Sequence, residues 1–206
     1  MKYGMHLTKT ILLTAALAAV SLLAACSTQV TRMSPDTVQD LSGRWNDTDS
    51  QMVSKDMIQE ALSEPWLGNY TRSHKGKAPV VIVGNIRNLS NEHINTNAFV
   101  TDMQRALINS GKVRFVAASD QRGEIRQERE DQDINAREDT RKAMGQEIGA
   151  DFMMKGTINT IVDQSGDTAV HYYQVDLNLI SMADNSIVWV GQKKIKKLVE
   201  KAKLRF

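Results

Sequence analysis

The sequence predicts an α/β domain, a small mixed sheet of about four strands packed with about four helices and closing in an antiparallel meander. Three observations carry that prediction. Val80-Val81-Ile82-Val83 is a β-branched run without polar interruption, as expected of a strand buried on both faces. Before and after it, apolar residues recur at three and four positions, the period of a helix with one buried face. Near the carboxyl end Tyr173, Val175, Leu177 and Leu179 alternate with Gln174, Asp176 and Asn178, the period of a half-buried antiparallel strand.

The elements follow in order. Met52, Val53, Met57, Ala61 and Leu62 share one face of a first helix that starts near Thr48 and ends before Pro65. Thr48 and Gln51 have the spacing of a capping box, and Asp47 and Asp49 add negative charge where the helix dipole favours it. A loop through Gly68, Gly76 and Pro79 leads to the Val80 strand. A second helix runs from about Asn95 to Ser110, with Phe99, Met103, Ala106 and Leu107 on one face and Gly111 placed to end it. Val113 to Ala117 is another short strand. Asp120 to Asp133 alternates in charge with only Ile125 strongly apolar, which describes a solvated helix laced with ion pairs or, alternatively, a recognition helix. A further helix is expected from about Asp139 to Ile148, stopping at Gly149, and a strand from Asp151 to Ile161. Ala183-Asp184-Asn185-Ser186 supplies the turn into a last strand, Ile187 to Ile195.

The amino terminus reads as an address. Lys2 and Lys9 precede an apolar run, Ile11 to Leu23, of signal-peptide length rather than membrane-spanning length. Leu23-Ala24-Ala25-Cys26 then matches the bacterial lipobox, in which the cysteine is lipidated and the peptide is cut before it. The expected organisation is a lipoprotein signal peptide over 1–25, a flexible tether over 26–46 with Pro35 and Gly43, and one globular domain over 47–206. Ser27 next to the lipidated residue is compatible with export to the outer membrane, on its periplasmic side. Cleavage removes Lys2 and Lys9 from 26 basic side chains and leaves 24 against 24 acidic ones. A net charge of zero gives no support to nucleic-acid binding.

The search for catalytic chemistry finds no constellation. Cys26 is the single cysteine, so lipidation leaves neither a disulfide nor a thiol nucleophile. His74, His93 and His171 lack paired-ligand spacing, and neither a Gly-x-Ser-x-Gly elbow nor a phosphate-binding loop occurs. No metal or cofactor is expected, and the domain reads as a binding protein rather than an enzyme. Trp45 and Trp189 fit core or lid positions better than a ligand platform. From Lys193 to Phe206 seven basic residues face Glu200 alone, the composition of a solvated tail or of a surface for an anionic partner.

Three pieces together carry a resemblance: Leu41-Ser42-Gly43-Arg44-Trp45-Asn46-Asp47-Thr48-Asp49-Ser50 at the first helix, Gly149-Ala150-Asp151-Phe152 leading into a strand, and Ile187-Val188-Trp189 in the last strand. With the lipobox, they make the chain resemble the LpoB family over roughly Leu41 to Lys197. The resemblance implies a small sheet packed with helices, related to the amino-terminal domain of TolB. It also implies an outer-membrane lipoprotein that binds and activates a class A, bifunctional penicillin-binding protein close to the peptidoglycan. A structural or assembly lipoprotein of another envelope system, secretion or Tol-like, remains the alternative, and a periplasmic hydrolase a more distant one.

Overall fold

The computed structural model describes residues 29–35, 37–142, 145 and 147–200. The lipobox and Cys26 lie outside them, as do residues 201–206 of the basic tail. The chain divides into two units after Thr37, and every helix and strand described belongs to the second, Val38–Phe206.

In chain order the elements are α1 (Asp47–Ala61), α2 (Pro65–Ser73), β1 (Val80–Asn88), α3 (Thr96–Asn109), β2 (Arg114–Phe115), α4 (Ser119–Asn135), β3 (Phe152–Ser165), β4 (Thr168–Ser181) and β5 (Ile187–Glu200). The expected mixed sheet is present, with five strands in the order β2-β1-β3-β4-β5. β2 and β3 flank β1 in parallel, and β3, β4 and β5 form the antiparallel meander. The fifth strand is β2, only two residues long. The Val80 run is an interior strand, as its composition requires, but β3 occupies the middle of the sheet.

Alternation decides what each strand buries. Phe152, Met154 and Ile158 of β3 and Tyr173, Val175, Leu177 and Leu179 of β4 point to one face. There they meet Val53, Met57 and Ile58 of α1 and Phe99, Met103 and Leu107 of α3 in a single core. At ~25 cal/mol per Å² of apolar surface removed from water, each large side chain of this set contributes ~1.5–3 kcal/mol. Gly156 in β3 has no alternative, because a Cβ there would meet the Asp176 carbonyl of the neighbouring strand.

Four expectations change. The loop through Gly68 is helix α2: Pro65 supplies the preset φ of the first helical position, and Trp66 docks edge-on against Phe152 with ring centroids 5.1 Å apart. A nine-residue helix with one buried side chain leaves little periodicity to read. Conversely, the described residues between Asp139 and Ile148 form turns and irregular backbone instead of the expected helix. Gly145 adopts a φ of +99°, which a right-handed helix cannot contain, and Glu147 is drawn back to the arginines of α4. The cap of α1 also shifts: Asn46 is the N-cap, accepting from the Asp49 amide at 3.0 Å, while Asp49 accepts from the Asn46 amide at 2.9 Å. The basic stretch is ordered as strand through Glu200 rather than forming a tail from Lys193.

Candidate interaction face and the strap behind it

On the helix-covered side, residues 40–46 form a strap across the far ends of β4 and β5. Its attachment begins with Glu92, in the loop between β1 and α3. The Glu92 carboxylate accepts from the Tyr173 hydroxyl at 2.7 Å and from the Trp45 amide at 3.1 Å. The Tyr173 hydroxyl also lies 2.9 Å from the Gly43 carbonyl, and the Trp45 ring packs edge-on against Phe99 and Tyr173. Gly43 lets the strap come this close, since a Cβ there would meet the His171 ring and the Val199 side chain. His171 Nδ1 stands 3.4 Å from Glu92 without a well-formed hydrogen bond.

Lys197 closes the other end. Its ammonium donates to Asp49 at 2.6 Å, Asp40 at 2.9 Å and the Arg44 carbonyl at 3.2 Å. Burial alone would lower the Lys197 pKa, but the hydrogen bonds and charges of Asp49 and Asp40 outweigh it and hold the ammonium above the usual lysine value. Burial raises the Tyr173 phenol well above its ordinary value, and the Glu92 carboxylate beside it adds to the rise. Tyr70 is pushed up to about 12 by burial and by Asp151.

The sign of the pH dependence follows. Above pH ~10 the unfolded chain releases tyrosine and lysine protons that the folded chain keeps. Stability is therefore fully present below that pH and falls as pH rises through the folded values, by ~1.4 kcal/mol per pH unit for a fully buried group such as Tyr173. Thermal melts should hold steady from pH 8 to 9.5 and drop steeply above 10, with a shallower drop in Tyr173→Phe. Equal slopes for the two proteins would contradict the assignment.

The three pieces that carry the resemblance are all framework. The strap and α1 cap account for the first. In the second, the Asp151 carboxylate accepts from the Val80 amide at 2.7 Å and its amide donates back to the Val80 carbonyl at 2.8 Å, aligning the starts of β1 and β3. In the third, Trp189 is buried opposite Leu179, and its ring covers Gly191. Trp45 and Trp189 are thus core and lid residues. His74 stacks on Tyr70 with ring centroids 3.8 Å apart, and His171 belongs to the strap network. Among the described residues no group of three His, Cys, Asp or Glu side chains could hold a metal ion.

The opposite face of the meander is different in kind. The register aligns Thr157, Asp176 and Gln192, then Asn159, Gln174 and Lys194, then Ile161, Tyr172 and Lys196, then Asp163, Val170 and Leu198. Gln192 and Gln174 both donate to Asp176 at 2.8 Å, which fixes the polar half. Beyond it Ile161 is 65% and Leu198 64% exposed, with Tyr172 and Val170 between them and the ammonium groups of Lys194 and Lys196 alongside. β5 thus divides its lysines: Lys193 and Lys197 turn inward to Asp56 and Asp49, while Lys194 and Lys196 remain exposed. This apolar patch with a basic rim is suited to binding an acidic protein surface.

No curated protein matches the chain. Among solved structures, it is similar to the LpoB C-terminal domain from Escherichia coli, at 14% identity over 72% of this chain and 99% of that one, with a TM-score of 0.44. The LpoB C-terminal domain from Salmonella enterica gives 14% identity, the same coverages of 72% and 99%, and a TM-score of 0.43. Lipoprotein GNA1162 from Neisseria meningitidis gives 12% identity over 61% and 88%, with a TM-score of 0.40. The family model described as peptidoglycan-synthase activator LpoB matches residues 49–195, from the cap of α1 into β5. The chain belongs to the LpoB family of peptidoglycan-synthase activators.

Proposed function

We propose that this protein is an outer-membrane lipoprotein that binds a class A penicillin-binding protein and raises its rate of peptidoglycan synthesis. The family match over residues 49–195 carries the reading. It has no chemistry of its own to contribute, so it acts by binding the active state of the synthase more tightly than the resting one. A ligand with equal affinity for both states shifts nothing, and a tenfold shift needs ~1.4 kcal/mol of differential affinity. The docking surface is the exposed meander face, with Ile161, Tyr172 and Leu198 as apolar contacts and Lys194 and Lys196 meeting carboxylates of the synthase.

Cys26 carries the lipid, and the segment that follows it tethers the globular domain to the membrane. Acyl chains at ~0.8 kcal/mol per buried methylene make such an anchor effectively permanent, and confinement beside the partner lowers the affinity that docking must supply. Cys26→Ala should leave an uncleaved precursor that takes up no palmitate; wild-type labelling in that variant would exclude the anchor. Immobilised protein should retain a purified class A synthase, and Leu198→Asp together with Lys196→Glu should weaken retention at least tenfold. Retention of secretion or Tol-like components in place of the synthase would support the assembly reading instead.

A further inference from the structure

The arginines of α4 pose a charge problem that the meander face does not touch. Arg122, Arg126 and Arg129 recur at helical spacing and converge on one carboxylate, Glu147. Arg126 satisfies it in bidentate fashion, with Nε and Nη2 each 2.9 Å from a carboxylate oxygen. That leaves Arg129 at 3.5 Å and Arg122 at 3.8 Å, within ion-pair range but with donors unspent. Asp133, one turn further along, is engaged by Arg141 at 3.3 Å. Arg122 Nε is buried and has no hydrogen-bond partner among the described residues, an expensive condition for a guanidinium group.

These two under-used arginines are the ones that line a cavity of about 250 Å³. Its other walls are Val116, Ala117, Ile125 and Ile148, all apolar, together with Glu147 itself. Ile125, the lone large apolar residue in an otherwise charged helix, is thereby accounted for as a wall of this cavity. A rim of paired guanidinium groups over an apolar floor matches a ligand with a carboxylate at one end and a hydrocarbon side chain beside it. Glu147 stays charged, held below the usual carboxylate range by Arg126, so it acts as a resident carboxylate in the same guanidinium cluster.

We propose that Arg122 and Arg129, with Val116, Ala117, Ile125 and Ile148, form a binding site for the free carboxyl terminus of a polypeptide whose last side chain is apolar. The terminal carboxylate takes the spare donors of Arg122 and Arg129, and the last side chain fills the apolar floor. Capture of a chain terminus by positioned donors is a recurring mode of peptide recognition.

The test uses the whole chain in detergent micelles and a fluorescent tetrapeptide ending in L-valine, read by polarisation. The free acid should bind at least tenfold more tightly than the same peptide capped as an amide. Arg122→Ala with Arg129→Ala should lose that margin, lysine at both positions should retain part of it, and Glu147→Gln should tighten binding severalfold by removing the resident carboxylate. Equal binding of acid and amide would overturn the proposal, and so would undiminished binding by the folded double-alanine variant or weaker binding by Glu147→Gln. If the double-alanine variant fails to fold, the acid and amide comparison on the unaltered chain decides alone. Binding confined to a probe ending in D-alanine would overturn the assignment to a protein terminus and point to a cell-wall stem peptide.

Discussion

Replacing Lys197 with alanine should lower the free energy of unfolding by about 3 kcal/mol, read as a shift in the urea midpoint at unchanged slope. The magnitude comes from what is left behind. The Asp49 side chain is 5% exposed and Lys197 is its only cation within 4 Å among the described residues, so deletion strands a charge nearly out of water. Asp40, at 51% exposure, rehydrates and adds little. Lys197→Met combined with Asp49→Asn should cost less than the sum of the two single changes, because the double variant buries no unpaired charge. Strict additivity would show that the pair is not coupled as its geometry requires. For a domain whose whole stability is of the order of 5–15 kcal/mol, this one lysine decides a substantial part of it.

Ile82→Asp should have a larger effect still. Ile82 is 8% exposed in β1, which is hydrogen-bonded between β2 and β3. An unpaired carboxylate there either desolvates or takes up a proton, at several kcal/mol in either case, comparable to the whole stability of the domain. The variant should show no cooperative melt at 25 °C or above, whereas Lys194→Asp on the exposed face should melt within a few degrees of the unaltered protein. A wild-type melt for Ile82→Asp would contradict the interior position of β1.

These two residues mark the boundary of what the chain discloses before it folds. Ile82 sits in a β-branched run whose composition implies burial on both faces, and the alternation from Tyr173 to Leu179 names the inward residues of β4 one by one. Periodicity is a local property, and both cases are local. Lys197 stands in a lysine-rich stretch that reads as solvated, and its partners lie 148 and 157 positions away. Glu92 belongs to a short loop with no period, yet it holds residues 47 positions before it and 81 after it. Such contacts come from topology, since the meander returns β4 and β5 over the cap of α1. Before folding, Asp120 to Asp133 shows only alternating charge; the convergence of Arg122, Arg126 and Arg129 on Glu147 comes from outside the helix, where the described residues before β3 form turns and irregular backbone.

The same distinction separates framework from surface within the motifs that carry the resemblance. Trp45, Asp49, Asp151 and Trp189 spend their side chains on the protein itself. The exposed rows of the meander carry no sequence signature, because alternation identifies a solvent face without identifying its partner. Substitutions in the strap should therefore act through stability, whereas substitutions at Leu198 and Lys196 should act through binding while the melting temperature stays put.

The most direct test of the account is the rate at which a purified class A penicillin-binding protein polymerises glycan strands from its lipid-linked precursor, with and without the whole protein in detergent micelles. The account predicts a severalfold increase that saturates with protein concentration, with no polymer and no released fragments when the protein is incubated alone with precursor or sacculi. An unchanged rate at saturating protein, with the synthase demonstrably active, would contradict it.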